Sequence, residues 1–542
     1  MDQQAVFILL LGLLILGCIA SSKLSSRVNM PGLLLFLLIG VGMRLLVRDG
    51  QLGGTSTALA WGTANTIAVF ALSFILFSGG YDSSWSDIRR VLAPGGVLAS
   101  AGVLLCALLL GAFCYLLTFR AFAPEQRRQI LLCSLLFASL ISSTDASAVF
   151  SILRSKKVSL KGSLKPLLEF ESGSNDPMAT FLTLFFLGLC LDGGADGLKR
   201  GLLLFLPAFV WKMAAGVGVG LLVGKWAVWL FNRLNLDYDG LYYVLGTSVV
   251  LLAYALSTLI FANGFMAVYV AGVYMGSRKF VFSNGLGRFS NALAWLMQVL
   301  LFTLLGYMAN PELLWRHHRL ALWAAFFLML VARPVATFIC TMRTNYSLRA
   351  RTLISWVGLR GGAPIVLATF PMLYADRMVV PLPDGTPVNV AEIMFSVVFV
   401  TVIISVAVQS FTIMPLARLL DLNSPLSIVP TAPLSFDYVP QARRGAIADP
   451  KEGATERLAA DDYENNQLAE FTIGSDSDLD GKVIRELRLP HGVFVLMVRR
   501  GTKYLVPRGN TVIRAGDCLS VLATPTHLAE ASVFFRSTNR DE

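Results

Sequence analysis

Residues 167–186 read LLEFESGSNDPMATFLTLFF. The run is apolar enough for a bilayer, yet it holds Glu169, Glu171 and Asp176, with Ser172, Asn175 and Pro177 among them. A charged side chain at the bilayer centre costs roughly 3 kcal/mol or more, so acids placed there face protein or water. They are either half of a structural ion pair or part of a site for ions, and the rest of the chain separates the two readings.

The 542 residues are 55% hydrophobic and 15% charged. A typical soluble domain carries about 25% charge, so this chain belongs to a membrane. Thirteen apolar segments follow one another, near 4–21, 31–47, 64–80, 93–118, 128–153, 164–190, 201–224, 240–260, 262–277, 292–309, 319–341, 352–374 and 391–418. Each can cross a hydrocarbon core about 30 Å thick, the pair at 240–277 being short. The N-terminus carries Asp2 ahead of the first segment and lacks the basic start of a signal peptide, so that segment reads as a transmembrane helix. Lys and Arg in the short loops favour an N-terminus outside and a cytoplasmic C-terminus. The net charge of +11 then describes a basic cytoplasmic surface; no long basic tract suggests nucleic acid. Seven scattered Cys, with no metal-ligand spacing, read as small hydrophobes.

After residue 421 the character changes. Residues 422–468 are rich in Pro and charge and read as a cytoplasmic linker. From 469 to 535, β-rich runs at 493–498, 503–506 and 518–523 alternate with Gly-containing turns, and 480–488 reads as a short helix. This predicts a small soluble α+β domain, followed by a tail at 536–542.

Within a helix over 164–190, Glu171 and Asn175 share one face, and Ser172 and Asp176 the next. Pro177 crowds the carbonyl of Gly173 and is expected to loosen the helix there. The preceding span, LLFASLISSTDASAVFSIL at 135–153, holds Ser142, Ser143, Thr144, Asp145 and Ser147. Hydroxyls, an amide and two aspartates are hard oxygen ligands that suit alkali cations and protons. Two arginines are equally out of place: Arg333 before Pro334, and Arg360 in ISWVGLRGGAPIVLATF, where Gly358, Gly361, Gly362 and Pro364 interrupt a helix. Interrupted helices at matching places in two halves are a mark of secondary transporters. Here STDAS and GLRGGAP stand seven spans apart, in halves made of spans 1–6 and 8–13. Glu171 reads as the structural partner of Arg333 or Arg360, Asp176 and Asp145 as functional. Lys212 stays unassigned, and none of the four His reads as a metal ligand. The stretch GVGVGLLVG (216–224) reads as close helix packing.

FESGSNDPMATF, SSTDASAVFSIL and WVGLRGGAPIVLATFP together resemble the cation/proton antiporter superfamily, NhaP branch, over about 420 residues. The segment 469–535, with VPRGNTVIRAGD, resembles the RCK-C regulatory domain of potassium transporters and channels. The combination is similar to the CvrA-type (cell-volume regulation) potassium/proton antiporters of the bacterial inner membrane. Those often carry a further domain beyond RCK-C, which is not expected here. The resemblance implies an all-α polytopic membrane protein with an inverted repeat of about 13 transmembrane helices, two of them broken. It also implies a homodimer in which a core moves like an elevator. It implies Asp176 as the essential carboxylate holding a monovalent cation, with Asn175, Ser172, Thr144 and Asp145 beside it, and maps the ion pair as Glu171 with Arg333 while Arg360 supports the twelfth span. The common TDP pattern is Thr144-Asp145-Ala146 here, so the break needs a cause other than proline.

The expected function is transport and not enzymatic catalysis, with no cofactor. A proton and a cation compete for Asp176; the resemblance implies that cytoplasmic K+ exchanges for external H+, one for one and without net charge, with Asn175 standing where a second acid could. A small-molecule or nucleotide ligand on the RCK-C domain is the expected regulator, although 469–535 contains no phosphate loop. A Na+/H+ antiporter of the same fold and an RCK-gated cation channel are the alternatives; the latter lacks a filter such as TVGYG.

Overall fold

The computed structural model describes residues 12, 15–20, 32–46, 57–146, 149–150, 153, 158–192, 195–234, 236, 238–381, 386–425, 467–474, 477–487, 489, 492–500, 503–505, 507–523, 527, 531 and 534–535. These form two compact units, one of helices through residue 425 and one of strands from residue 467. The linker read at 422–468 lies outside the described residues from 426 to 466. Its first residues, Asn423–Pro425, are a strand.

The first unit is a run of apolar helices. They are α1 (Gly32–Leu46), α2 (Thr57–Tyr81), α3 (Trp85–Val97), α4 (Val103–Thr118), α5 (Arg127–Leu140), α6 (Leu164–Asp192), α7 (Ala195–Arg233), α8 (Gly240–Leu259) and α9 (Gly264–Gly276). They continue as α10 (Ser283–Met308), α11 (Pro311–Arg316), α12 (His318–Phe327), α13 (Arg333–Thr341), α14 (Leu348–Trp356), α15 (Ala363–Met372) and α16 (Val390–Leu419). Among the described residues, eight helical spans are long and apolar enough to cross a membrane, and Gly32–Leu45, Gly264–Gly276 and Ala363–Met372 are shorter apolar helices. Of the remaining expected spans, the first lies mostly outside the described residues, and the fifth is interrupted after α5.

The helices sort into two packed groups. One contains α1, α2, α7, α8, α9 and α10; the other contains α3 to α6 and α12 to α16. In the first group α7 lies close on α9. A methyl group at Gly216 or Gly220 would press on the carbonyl oxygen of Asn263 or Ala267, and at Gly224 on Tyr274. Glycine every fourth residue keeps one stripe of α7 bare, which is the packing role expected of 216–224.

In the second group four helices deviate from regularity. Single π-helical turns at Leu98–Gly102 and Leu328–Ala332 join α3 to α4 and α12 to α13. Cys106 Sγ donates to Ala332 O at 3.5 Å beside the second. Backbone at 141–145 and 357–362 is not helical, which places the two breaks where STDAS and GLRGGAP predicted them. Pro177 behaves otherwise than expected: α6 runs through it without interruption. Neighbouring helices hold α6 on several sides, and Pro177 O accepts from Asn263 Nδ2 at 2.8 Å, which ties this turn of α6 to the start of α9.

Short strands join the helices outside the apolar spans. β1 (Val158–Leu160) leads into α6, β2 (Val379–Pro381) pairs with β3 (Pro387–Asn389), and β4 (Asn423–Pro425) follows α16. β1 and β4 pair antiparallel with Ser159 opposite Ser424.

The second unit is a four-stranded antiparallel sheet of β5 (Gln467–Thr472), β6 (Phe494–Arg500), β7 (Lys503–Leu505) and β8 (Cys518–Ala523), in the order β5-β8-β6-β7. Ile473, Leu479, Leu487, Val498, Ile513, Leu519 and Val521 form its core. The helix expected at 480–488 is reduced to one 3₁₀ turn, Ile484–Glu486. Its backbone donors are taken from outside: Gly481 N donates to Ile513 O, Ile484 N to Thr511 O and Arg485 N to Gly509 O. An N–H bonded across to another segment cannot close a helical turn.

Candidate functional site

The two breaks cross and complete each other. A helix end leaves backbone groups without partners, and burial makes each expensive unless something supplies one. Asp145 N donates to Leu359 O at 2.7 Å, one break satisfying the other. The Arg360 guanidinium donates to Ser142 O and Ser143 O at 2.6 and 2.5 Å, just past the C-terminus of α5. A cation is favoured there by the carbonyl end of the helix dipole. Arg360 N donates to Ser405 Oγ at 3.2 Å, and Ser405 Oγ donates to Gln409 Oε1 at 2.8 Å. Gln409 Nε2 then donates to Trp356 O at 2.9 Å, closing the last turn of α14.

α6 supports the same crossing from its other side. Ser172 Oγ donates to Thr144 O at 2.9 Å and accepts from Ala146 N at 3.0 Å. Asn175 Nδ2 donates to Thr144 Oγ1 at 2.6 Å. Glu171, one residue back, meets Arg333 NH1 at 2.6 Å, with both side chains 3% exposed or less. The choice between the two arginines is thereby made: Arg333 holds Glu171, and Arg360 holds the broken end of α5.

A cavity of about 720 Å³ opens at this crossing. Thr144, Asp145, Ser172, Asp176 and Gly361 form one side of it, all from the group that contains the breaks. The facing side comes from the other group: Leu72 to Ser83 on and just beyond α2, Tyr269 on α9, and Gln298, Leu301 and Phe302 on α10. Lys165 and Glu169 line it as well, 3.7 Å apart and partly exposed. Asp145 and Asp176 stand within electrostatic range of one another. Gly361 is required where it is, because a methyl group there would collide with the Asp145 carboxylate.

Of the residues expected at the ion site, Thr144, Asp145, Ser172 and Asp176 share this cavity. Asn175 is fully buried and does not line it; it holds Thr144 from behind. Ser147 lies outside the described residues. Lys212 contributes its backbone, whose carbonyl accepts from Asn263 N at 3.1 Å, and does not line the cavity. Several contributors carry no signal readable from sequence. Ser405 and Gln409 look like ordinary polar residues of an apolar span, and only the crossing shows what they cap. Asn263 caps α9 through Met266 N at 3.1 Å while donating to Pro177 O, which sets the start of α9 beside the site. Tyr269 and Gln298 reach the cavity from helices whose sequence gives no polar cluster.

The carboxylates of Asp145 and Asp176, the hydroxyls of Thr144 and Ser172 and the unwound backbone beside them face this cavity and form a hard-oxygen set. Such a set can hold a dehydrated monovalent cation or, at a carboxylate, a proton.

Comparison with known proteins gives an independent view. Residues 10–419 match the family described as "Sodium/hydrogen exchanger, transmembrane", and residues 468–536 match the TrkA-C domain. The chain is 32% identical over 538 residues to the "K(+)/H(+) antiporter NhaP" of Alkalimonas amylolytica, covering 99% of this chain and 84% of that one. It is 30% identical over 546 residues to the "K(+)/H(+) antiporter NhaP2" of Shewanella oneidensis, covering 100% and 86%. Its fold is similar to the solved sodium proton antiporter MjNhaP1 of Methanocaldococcus jannaschii, with a TM-score of 0.61 and 22% identity over 76% of this chain and 99% of that one.

Proposed function

The chain belongs to the sodium/hydrogen exchanger family and carries a TrkA-C domain, and from that premise we propose that this cation/proton antiporter exchanges cytoplasmic K+ for external H+ at Asp176. The observation that carries the reading is the position of Asp176: in a cavity at the crossing of two broken helices, with Asp145, Thr144 and Ser172 around it. Ionised, the carboxylate binds a cation with help from hydroxyl and backbone oxygens. Protonated, it loses that cation. If the carrier changes sides only when loaded with one or the other, the two fluxes are coupled in opposite directions. Asn175, turned away to hold Thr144, supports a one-for-one exchange without net charge. The choice of K+ over Na+ rests on the relatives' names and on the tail domain.

The division of the helices supports an elevator-type mechanism. One group provides the breaks and Asp176, and the other provides the facing wall, so sliding of one past the other would carry the site between the two sides of the membrane. Such carriers are expected as homodimers in the bacterial inner membrane, with the tail domain cytoplasmic. Regulation by that domain is supported by the pairing of β4 with β1: the chain leaving α16 toward the tail is tied to the loop that enters α6. Lys161 reinforces the tie, its N–H donating to Leu422 O and its ammonium 2.9 Å from Asp421.

Exchange in proteoliposomes with a pH-sensitive dye inside tests the proposal. K+ should alkalinise the lumen of vesicles holding the native chain, with no dependence on voltage set by valinomycin or a protonophore. Asp176→Asn should abolish the signal and leave the melting temperature in place. PH-dependent exchange surviving in Asp176→Asn would refute the assignment, and a response to Na+ alone would assign the cation otherwise.

A further inference from the structure

A second, larger cavity, about 1010 Å³, lies between the two helix groups and is built unlike the first. Its walls are α7 and α9 on one side and α3 and α6 on the other, and they are almost wholly apolar. The charged residues of the lining stand at one end, where Arg89 and Arg278 are joined by Ser84, Ser86 and Ser277; Ser100, Ser174, Tyr269 and Tyr274 are the other polar side chains along it. Trp85 N donates to Ser277 Oγ at 3.0 Å and ties α3 to the end of α9 there. Neither Arg89 nor Arg278 has an acidic partner among the described residues. The Arg278 guanidinium rests over the Tyr274 ring, 5.4 Å from its centre.

The dimensions are those of one membrane leaflet. From Gly276, the end of α9, back to Met266, which lines the cavity, the helix rises about 15 Å at 1.5 Å per residue. Half of a hydrocarbon core is about 15 Å. The lip is open to the hydrocarbon: Leu92 and Leu221 are 43% and 45% exposed along it. Trp85, half exposed at the charged end, suits the membrane–water boundary.

We propose that this groove binds one anionic phospholipid, its phosphate between Arg89 and Arg278 and an acyl chain running along α9 toward Met266. Charge complementarity selects the occupant: two guanidiniums at one end of an otherwise apolar slot match a negatively charged head on an apolar tail. The lipid would sit one ring away from the ion cavity. Tyr269 lines both spaces, and its ring packs on Gly173 of α6, three residues before Asp176.

Native mass spectrometry on the full-length chain, stripped of lipid in detergent and then offered phosphatidylglycerol or phosphatidylcholine, tests the proposal without any measurement of transport. One phosphatidylglycerol should be retained per chain, about tenfold more tightly than phosphatidylcholine, because the two guanidiniums attract its net negative charge and repel the choline ammonium that accompanies the phosphate of phosphatidylcholine. Arg89→Gln with Arg278→Gln should remove that preference. Gly96→Trp provides a second variant, because Gly96 lines the groove between Leu92 and Ser100 and a side chain there meets open space. It should expel the acyl chain and lower retention of both lipids with the arginines intact. Equal retention of the two lipids by the native chain, a preference that survives loss of both arginines, or retention unaffected by Gly96→Trp would overturn the proposal. So would a peptide, and not a lipid, released from the groove of the native protein.

Discussion

Glu171 and Arg333 give the most direct test of how the buried charges are arranged. Their contact is 2.6 Å, and neither side chain is more than 3% exposed. Removing one member leaves the other charged, buried and uncompensated, which typically costs about 3–5 kcal/mol. Removing both by apolar residues of similar volume is often neutral or stabilising, and here more so, because Arg333 Nε and NH2 have no hydrogen-bond partner among the described residues. An unfolding entropy of roughly 2.1 cal/mol/K per residue, carried to a membrane unit of about 420 residues, makes 1 kcal/mol worth about 1 °C. Glu171→Gln and Arg333→Met should each lower the melting temperature by about 3–5 °C, read by tryptophan fluorescence in detergent. Glu171→Leu with Arg333→Met should return to within about 1 °C of the native chain. The control is Arg360, whose guanidinium is spent on Ser142 O and Ser143 O. Arg360→Met should be destabilising and should not be rescued by any change at Glu171. If the two cycles gave equal coupling, or if Arg360 coupled more strongly to Glu171, the assignment of partners would be wrong.

In the tail domain, Asp517 receives Arg500 Nε at 2.8 Å, Arg500 NH2 at 2.7 Å and Arg514 N at 2.9 Å. Burial works against its charge, but these donors hold its carboxyl below the ordinary carboxylate range. A lowered carboxyl contributes stability that is complete above the ordinary value, near pH 4, and is lost as the pH falls through the lowered one. Melting of the tail in the full-length chain should therefore weaken on acidification below about pH 4. Asp517→Asn should flatten that dependence and lower stability at pH 7, and an unchanged acid profile in this variant would count against the pairing. Truncation after Leu422 removes β4 with the tail and should change the rate or the pH dependence of exchange in proteoliposomes; identical profiles would exclude control of the carrier through this segment.

Most of the membrane unit was legible in the sequence, because hydrocarbon demands long apolar runs and tolerates polar residues only where protein or water receives them. The same demand exposed 142–145, 171–176, Arg333 and Arg360, which meet at one place in the fold. What could not be read was how backbone groups are satisfied across distance. Pro177 promised a loosened helix, but α6, packed by its neighbours on several sides, runs through it. The π turns at 98–102 and 328–332 add single residues to continuous apolar runs and leave no pattern to detect. Asn175 sits one position from Asp176 in the chain and on another face of the helix, so proximity in sequence overstated its access to the cavity. The segment 480–488 has an apolar spacing compatible with a helix, yet residues 509–513 take its donors first.

The missing proline at position 146 is explained by the same kind of accounting. A proline there would have no N–H, and the first turn of a helix is where that loss is harmless. Ala146 keeps its N–H, and Ser172 Oγ accepts it at 3.0 Å while donating to Thr144 O at 2.9 Å. One hydroxyl thus holds both sides of Asp145, and the helix restarts at Ala146 without the ring that would otherwise enforce it. Ser172→Ala should leave a buried donor and a buried acceptor unpaired, at about 1–3 kcal/mol for each that water fails to reach. Adding Ala146→Pro to Ser172→Ala removes the orphaned donor and favours the helix start, so the double variant should melt higher than Ser172→Ala alone. Ala146→Pro in the native background has no orphan to remove, breaks the contact to Ser172 and should be neutral or harmful. A double variant no more stable than Ser172→Ala would mean that Ser172 does not stand in for the proline, and that Arg360, Leu359 and Asn175 hold the break.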